Sequence, residues 1–506
     1  MVRIYVNSVK GTLLNCPIKI EKEIYKLCSY QVFNFQFSDA YLNGYWDGYV
    51  RKYSIKTHTF PSGLLYRLLI FLKKKGLKVE VNDTRKKLVW TEKQVLDNLE
   101  DFKFELRPYQ IDGLIRGLNV PYLVFWWATS AGKTVQFSAL ISALKRKTFR
   151  RTLILVSNKD LAAQHRKEIG DMLDTKVGLI EEGRFEPERI TVAVINTLWI
   201  RAVKNKNPIV LKYLDEIEHL ISDETHHIID SKMFKQTINK CVNTIARHGF
   251  SGTPFSLTTD DLELEAVTGP PLSKVPMTKL ISEGWVSTPH IFMIKYDCEP
   301  IRWVNNYAEL YSKKIVDNVE RNIIITNIVS EEYLKGDTSI LVTIRIIKHG
   351  KKLKDMFIDA GIDPDELAFI HGSTSKEQRK KVKELFKEKI LKVVIASSIW
   401  TEGIDIPTVD VLMQADGGGG KDISEGRGIR SVIQKIGRVI RKPILAGETD
   451  VDQKRENIVR VYDFFDNSHK NLAKHSLNRF LTYKMEEGFV VKEVIYEAAK
   501  GQKNFI

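Results

Sequence analysis

The chain has 506 residues, which at roughly 100 to 200 residues per domain predicts about three domains and excludes a single small fold. Hydrophobic residues at 43% and charged residues at 28% have the balance of a globular protein and exclude an extended disordered chain. With 78 basic residues against 63 acidic ones the net charge is +15, which attracts polyanions, nucleic acid ahead of an anionic membrane.

No run approaches the ~18 to 20 apolar residues of a membrane span, and the N-terminus lacks the apolar stretch of a signal peptide, so the expectation is a cytoplasmic protein with no membrane partner. Cys16, Cys28, Cys241 and Cys298 stand far apart with no Cys-x-x-Cys pair, which excludes a disulfide framework and argues against a zinc module.

Residues 1–105 mix short β-branched and aromatic runs (2–6 and 32–37) with a helical stretch at 64–77, whose apolar residues recur at three and four spacing. This predicts a small α+β accessory domain. It carries 18 basic and 11 acidic residues, with Tyr41, Tyr45, Trp46 and Tyr49 interleaved. Such aromatics either stack on bases or form the domain's own core.

From residue 106 onward, strand-like runs at 122–127, 153–156, 191–195 and 219–222 alternate with helical segments, and the pattern resumes at 339–343 and 392–396. Alternation of this kind predicts parallel α/β sheets with ligands at the strand C-terminal ends. Two such domains follow, 106–285 and 286–470, separated by Gly269-Pro270-Pro271 and the turn at Ser287-Thr288-Pro289. Leu477, Leu481 and Met485 have helical spacing, so 471–506 is expected to be a helical segment packed on the second domain.

The run at 122–127 leads into Ala128-Thr129-Ser130-Ala131-Gly132-Lys133-Thr134, after which a helix opens. In a phosphate-binding loop of this kind, backbone N–H groups hold the phosphates, Lys133 reaches the β/γ oxygens and the Thr134 hydroxyl ligates Mg²⁺. The usual first glycine is Ala128 here. Upstream, Arg107, Tyr109 and Gln110 precede the loop by about twenty residues. Tyr109 is expected to stack on adenine and Gln110 to pair with its edge, although a Pro-Tyr pair at a helix start is also common in cores.

Roughly ninety residues beyond the loop, a second strand delivers Asp223-Glu224-Thr225-His226. Asp223 is expected to hold Mg²⁺ through its water shell and Glu224 to polarise the attacking water. In the second α/β domain, Thr401-Glu402-Gly403-Ile404-Asp405 follows a strand, and Gln434, Arg438 and Arg441 lie on one later segment. Three apart on one helix face, the two guanidinium groups are expected to neutralise γ-phosphate charge from across an interdomain cleft.

Taken in order, these segments resemble the superfamily 2 helicases and translocases over about 106–470. Lys133 and Thr134 match motif I, 157–164 looks like motif Ia, Asn196-Thr197 like Ib, and 223–226 like motif II. Ser251-Gly252-Thr253-Pro254 is similar to motif III, 340–343 to the motif IV strand, Gly403 and Asp405 fall in motif V, and Gln434, Arg438 and Arg441 in motif VI. The resemblance implies two tandem RecA-like lobes that use ATP and Mg²⁺. Asp-Glu-Thr-His in motif II, Ser-Gly-Thr-Pro in motif III and Gln434 in motif VI look like DNA repair and restriction-type translocases. Gly44-Tyr45-Trp46-Asp47-Gly48 is similar to a segment of phage UvsW-type recombination helicases. That branch implies a monomeric motor, in a phage-infected host cell, that remodels branched or duplex DNA: forks, Holliday junctions and RNA–DNA hybrids in R-loops. An RNA helicase and a nucleotide-gated binding switch are the competing expectations.

Overall fold

A computed structural model of the full chain describes residues 1–32, 34–85, 90–97, 99, 102–145, 151–252, 262–397, 409–417, 433, 435–437, 439–440, 458–497 and 502–505. The chain divides into two compact units, Met1–Val275 and Pro276–Ile506.

The first unit opens with a four-stranded sheet. Val2–Val6 pairs antiparallel with Lys10–Leu14 and parallel with Val79–Asp83, and Thr59–Pro61 adds an edge. Period-2 alternation buries Val2, Ile4 and Val6 and exposes Arg3 and Tyr5. Helix Leu65–Lys74 covers this face with Leu68 and Leu72, one turn apart. This core extends into the rest of the unit through Leu262 and Ala266 of the short helix Leu262–Thr268, every residue of which is buried. Gly63 makes the approach feasible, because a Cβ there would lie 2.1 Å from the Glu265 carbonyl oxygen. Glu263 and Glu265 on that helix pair with Lys52 and Arg67, each at 2.5 Å, which fastens the N-terminal sheet to the larger one.

The larger sheet has eight strands in the order 184–186, 178–181, 190–194, 151–156, 217–222, 246–251, 122–127, 273–275. All pairings are parallel except the hairpin Gly178–Glu181 with Arg184–Glu186. Ile190–Val194 and Ala246–Ser251 are buried at every residue, as strands covered on both faces must be. One consequence governs the site. The strand Ala246–Ser251 lies between Ile217–Ser222 and Tyr122–Trp127, so three strand ends meet along one edge.

The second unit repeats the architecture. Its eight-stranded sheet runs 367–370, 393–397, 340–344, 411–414, 458–465, 288–295, 490–497, 502–505, parallel except for the last pair. The fold is thus two tandem RecA-like parallel-sheet α/β lobes with a small α+β part in front.

The segment expected to be helical over 471–506 is helical only in its first half. After helix Lys470–Met485 the chain adds the strands Val490–Glu497 and Gln502–Phe505 to the sheet. The apolar stripe that suggested packing also faces the other way: Leu477, Leu481 and Met485 are 49%, 48% and 69% exposed. The helix instead buries Leu472, Ser476, Arg479 and Tyr483. Satisfied polar groups, described below, hold that face down, so hydrophobicity alone misjudges it. Among the described residues no helix is long and apolar enough to cross a membrane.

Candidate functional site

The strand Tyr122–Trp127 ends in the turn 128–132, and helix Lys133–Lys145 begins at once. Ser130 (φ 74°) and Gly132 (φ 75°) both take the left-handed conformation, which turns the intervening amides into one concavity ahead of the helix N-terminus. A Cβ at Gly132 would lie 2.5 Å from Gln110 Nε2. Ala128, where a glycine was expected, is absent from the residues of positive φ, so alanine is accommodated there without strain. Its N–H donates to the Val275 carbonyl at 2.9 Å.

The residues expected to meet adenine lie directly behind the loop. Tyr109 and Gln110 are each only 3% exposed. The Tyr109 ring packs edge-on against Trp127 and its hydroxyl donates to the Ala131 carbonyl at 3.1 Å. Gln110 Oε1 accepts the Arg107 N–H at 2.9 Å, closing the start of helix Pro108–Asn119, and its Nε2 donates to the same Ala131 carbonyl. Arg107 donates to the Tyr109 hydroxyl at 3.0 Å. The three side chains brace the loop from behind, because the helix that carries them is packed into the core rather than opened toward solvent.

Two strands away in the sheet, Ile217–Ser222 delivers the carboxylates. The Asp223 N–H donates to the Leu155 carbonyl at 3.0 Å, and Asp223 Oδ1 accepts the Glu224 N–H at 3.0 Å. Asp223 Oδ2 lies 2.8 Å from His165 Nε2. Glu224 has φ 46°, a strained value for a non-glycine residue, and its Oε1 is 3.9 Å from Lys133 Nζ. That distance joins the loop and the carboxylate pair into one site. His226 Nδ1 lies 2.9 Å from Ser251 Oγ and 3.3 Å from Glu224 Oε2, so the intervening strand end is tied to the same group. A Cβ at Gly252 would come within 3.3 Å of the Thr129 nitrogen, which puts this backbone against the loop.

His165 is fully buried. Burial pushes its imidazole pKa down, but the hydrogen bond and charge of Asp223, with Glu168 and Glu224 adding to them, outweigh this and hold it above the ordinary value. His165 lies one residue beyond the segment 157–164 that resembles motif Ia. Its signal was present: with Ala162 and Ile169 it shares the buried face of helix Lys159–Leu173, capped by Asn158.

The residues fit a metal–nucleotide complex. The left-handed turn and helix start supply amide donors, the Lys133 ammonium is partly open at 14% side-chain exposure, and Asp223 with Thr134 offers hard oxygen donors. A small hydrated cation that takes one or two protein oxygens and keeps its waters suits that set, and no all-protein cage of three His, Cys, Asp or Glu ligands occurs among the described residues.

Elsewhere, Asn196 and Thr197 lie on helix Ile195–Trp199 and the motif IV strand is Ile340–Ile344. Thr253, Pro254, Gly403, Asp405, Gln434, Arg438 and Arg441 fall outside the described residues. In the N-terminal part, Tyr45 is 87% exposed. Trp46 is half-buried and its indole N–H donates to the Tyr49 carbonyl at 2.8 Å, so the two members of this pair differ in availability.

Two tandem parallel-sheet lobes, the first with a phosphate-type loop beside a strand-end carboxylate pair, define a RecA-like class of protein. Residues 103–256 match the family described as "Type III restriction enzyme, res subunit", and residues 320–443 match "Helicase conserved C-terminal domain". The chain thus resembles helicases in both lobes, with one family model matched in each. It is 25% identical over 352 residues to the Rad25 protein of Haloarcula marismortui, whose name describes a DNA 3′-5′ helicase. That alignment covers 67% of this chain and 51% of Rad25, so the chain spans about half the length of that relative. An HsdR subunit fragment of a type I restriction enzyme from Vibrio vulnificus superimposes with TM-score 0.57 at 15% identity, covering 98% of this chain and 86% of the other. The crystal structure of T4 UvsW covers 98% of this chain and 99% of its own at 18% identity and TM-score 0.48.

Proposed function

We propose that the chain is an ATP-dependent DNA helicase or translocase, a monomeric motor acting on branched DNA. The observation that carries this reading is the junction of loop and carboxylates, with Lys133 Nζ 3.9 Å from Glu224 Oε1 although their strands stand two apart in the sheet. In this reading Lys133 and the amides of 129–132 hold the ATP phosphates, Thr134 and Asp223 position Mg²⁺, and Glu224 takes the proton of the attacking water. Gln434, Arg438 and Arg441, with Gly403 and Asp405, complete the hydrolysis machinery, the arginines neutralising charge that develops on the γ-phosphate.

DNA as the track is supported by the net charge of +15 and by what Rad25 is named for. Branched substrates, including RNA–DNA hybrids, are supported by the aromatic residues of the N-terminal part, where the exposed Tyr45 ring is free to stack at a strand opening. The test is ATPase stimulation by RNA, single-stranded DNA, duplex DNA and a four-way junction at one salt concentration, paired with strand displacement on each. The expected order puts the junction first. Stimulation by RNA alone would make the protein an RNA helicase, and turnover without displacement or migration would make it a nucleotide-gated switch.

A further inference from the structure

We infer that His165 is a positioning residue for the divalent cation: its Nε2–H holds Asp223 so that the carboxylate presents its remaining lone pairs to the water shell of a metal–nucleotide complex. This rests on the reading of the loop and Asp223 as an ATP and Mg²⁺ site.

Three observations carry it. First, the contact is short and sealed. Nε2 and Oδ2 are 2.8 Å apart, with side-chain exposures of 5% and 8%. An ionised carboxylate only accepts, so Nε2 carries the hydrogen. Second, the Asp223 carboxylate is held at both ends from the protein side, Oδ1 by the Glu224 N–H and Oδ2 by the imidazole, which fixes the plane of the group. A cation that demands near-octahedral geometry through ordered waters is sensitive to that plane. Third, His165 Nδ1 is buried without a hydrogen-bond partner among the described residues. A purely structural core position would be better filled by an apolar side chain, since an orphaned buried nitrogen is a cost. The position keeps histidine although only one of its two nitrogens is used, and that one faces the carboxylate.

The imidazole is itself locked. Its helix is capped at Asn158, and its ring meets Phe137, from the helix that follows the loop, at 5.5 Å. Such outer partners of a metal site typically contribute about 10- to 100-fold in metal affinity.

The experiment uses the full chain, Mn²⁺ as the spin probe and a non-hydrolysable ATP analogue. Mn²⁺ affinity is measured in the presence of the analogue, and analogue affinity is measured in EDTA. His165→Phe fills the space beside Phe137 but has no donor, whereas His165→Gln keeps an N–H at similar reach. The expected result is that His165→Phe weakens Mn²⁺ binding by about 10-fold or more, leaves metal-free analogue binding unchanged, and that His165→Gln restores most of the loss. Equal Mn²⁺ affinity in His165→Phe and wild type overturns the role of His165, as does a loss in both variants that extends equally to metal-free nucleotide. Should His165→Phe melt below the working temperature, His165→Leu against His165→Gln makes the same comparison. A wild-type chain whose analogue affinity does not depend on Mn²⁺ overturns the nucleotide-site reading instead.

Discussion

Both lobes gather charged side chains at the C-terminal ends of a parallel sheet, and they use them in opposite ways. In the first unit Lys133 and Glu224 stay partly exposed at 14% and 19%, with 3.9 Å between them, and Glu224 sits on strained backbone. In the second unit the charges close on one another. Arg479 forms a two-pronged contact with Asp463 at 2.8 and 2.9 Å, Tyr483 donates to the same carboxylate, and Gln414 donates to Tyr483. Arg321, which is 0% exposed, pairs with Asp466 at 2.9 Å. The arginines also donate to the carbonyls of Ala415 and Gly417, and Lys435 reaches Asp416 at 2.6 Å. The same scaffold thus leaves charged groups partly open at one sheet, and at the other pairs Arg321, Arg479, Asp463 and Asp466 inside the protein. Burial decides which: a charged group left without a partner can serve a ligand only if water still reaches it.

Four perturbations would break or sharpen this contrast. The largest fall in kcat with nucleotide affinity kept is expected from Arg438→Ala or Arg441→Ala, about 10³- to 10⁵-fold if either acts as an arginine finger. ATP affinity should change far less, as steady-state kinetics beside equilibrium nucleotide binding would reveal. Loss of affinity with kcat intact would place these arginines outside catalysis.

Glu224→Gln should reduce turnover by about 10²- to 10⁴-fold while ATP still binds, and Lys133→Ala should abolish stimulated hydrolysis. Neither variant should shift the melting temperature appreciably, since both side chains are partly exposed and stand 3.9 Å apart. A large fall in melting temperature would show that the first unit's charges are structural too.

Arg479→Leu should do the reverse, costing about 3 to 5 kcal/mol of stability because Asp463 is left buried without its partner. Denaturant unfolding of Arg479→Leu beside Arg479→Leu/Asp463→Leu measures it, and the double variant should recover part of the loss. An Arg479→Leu chain as stable as wild type would end the idea of a locked second unit.

The last perturbation is pH. His219 and His248 are buried 2.9 Å from one another, and His349 is bonded to Asn322. Burial holds His219 well below its ordinary pKa, lowers His248 to about 4 and, helped by the Arg321 and Lys352 charges, lowers His349 to about 3. Each is neutral in the folded chain, so stability is complete above the unfolded value of about 6.5 and is lost as pH falls below it, down through about 4. Each such proton contributes about 1.4 kcal/mol per pH unit. His165 acts oppositely, since its raised value favours the folded chain at lower pH. Melting temperatures between pH 7.5 and pH 5 should therefore fall, and a flat profile would mean that these histidines have polar escape routes.

The loop 128–134 and the pair Asp223-Glu224 were legible in the sequence because each is a contiguous strand–turn–helix or strand–turn segment, with its chemistry written into neighbouring residues. Strand-and-helix alternation was legible for the same reason: burial on both faces leaves near-continuous apolar runs such as Leu153 to Val156. Side-chain direction was not. Whether Tyr109 and Gln110 face a base or brace the loop depends on the packing of their helix. Whether Leu477 and Leu481 face the core depends on an ion pair formed by Arg479 with a residue on another strand. The contact of His165 with Asp223 spans 58 positions and exists only because Arg151–Val156 and Ile217–Ser222 are adjacent in the sheet, which sets the following helix beside the carboxylate. Local chemistry was determined by sequence order, whereas partnerships between distant side chains were decided by strand order, which no run of neighbouring residues encodes.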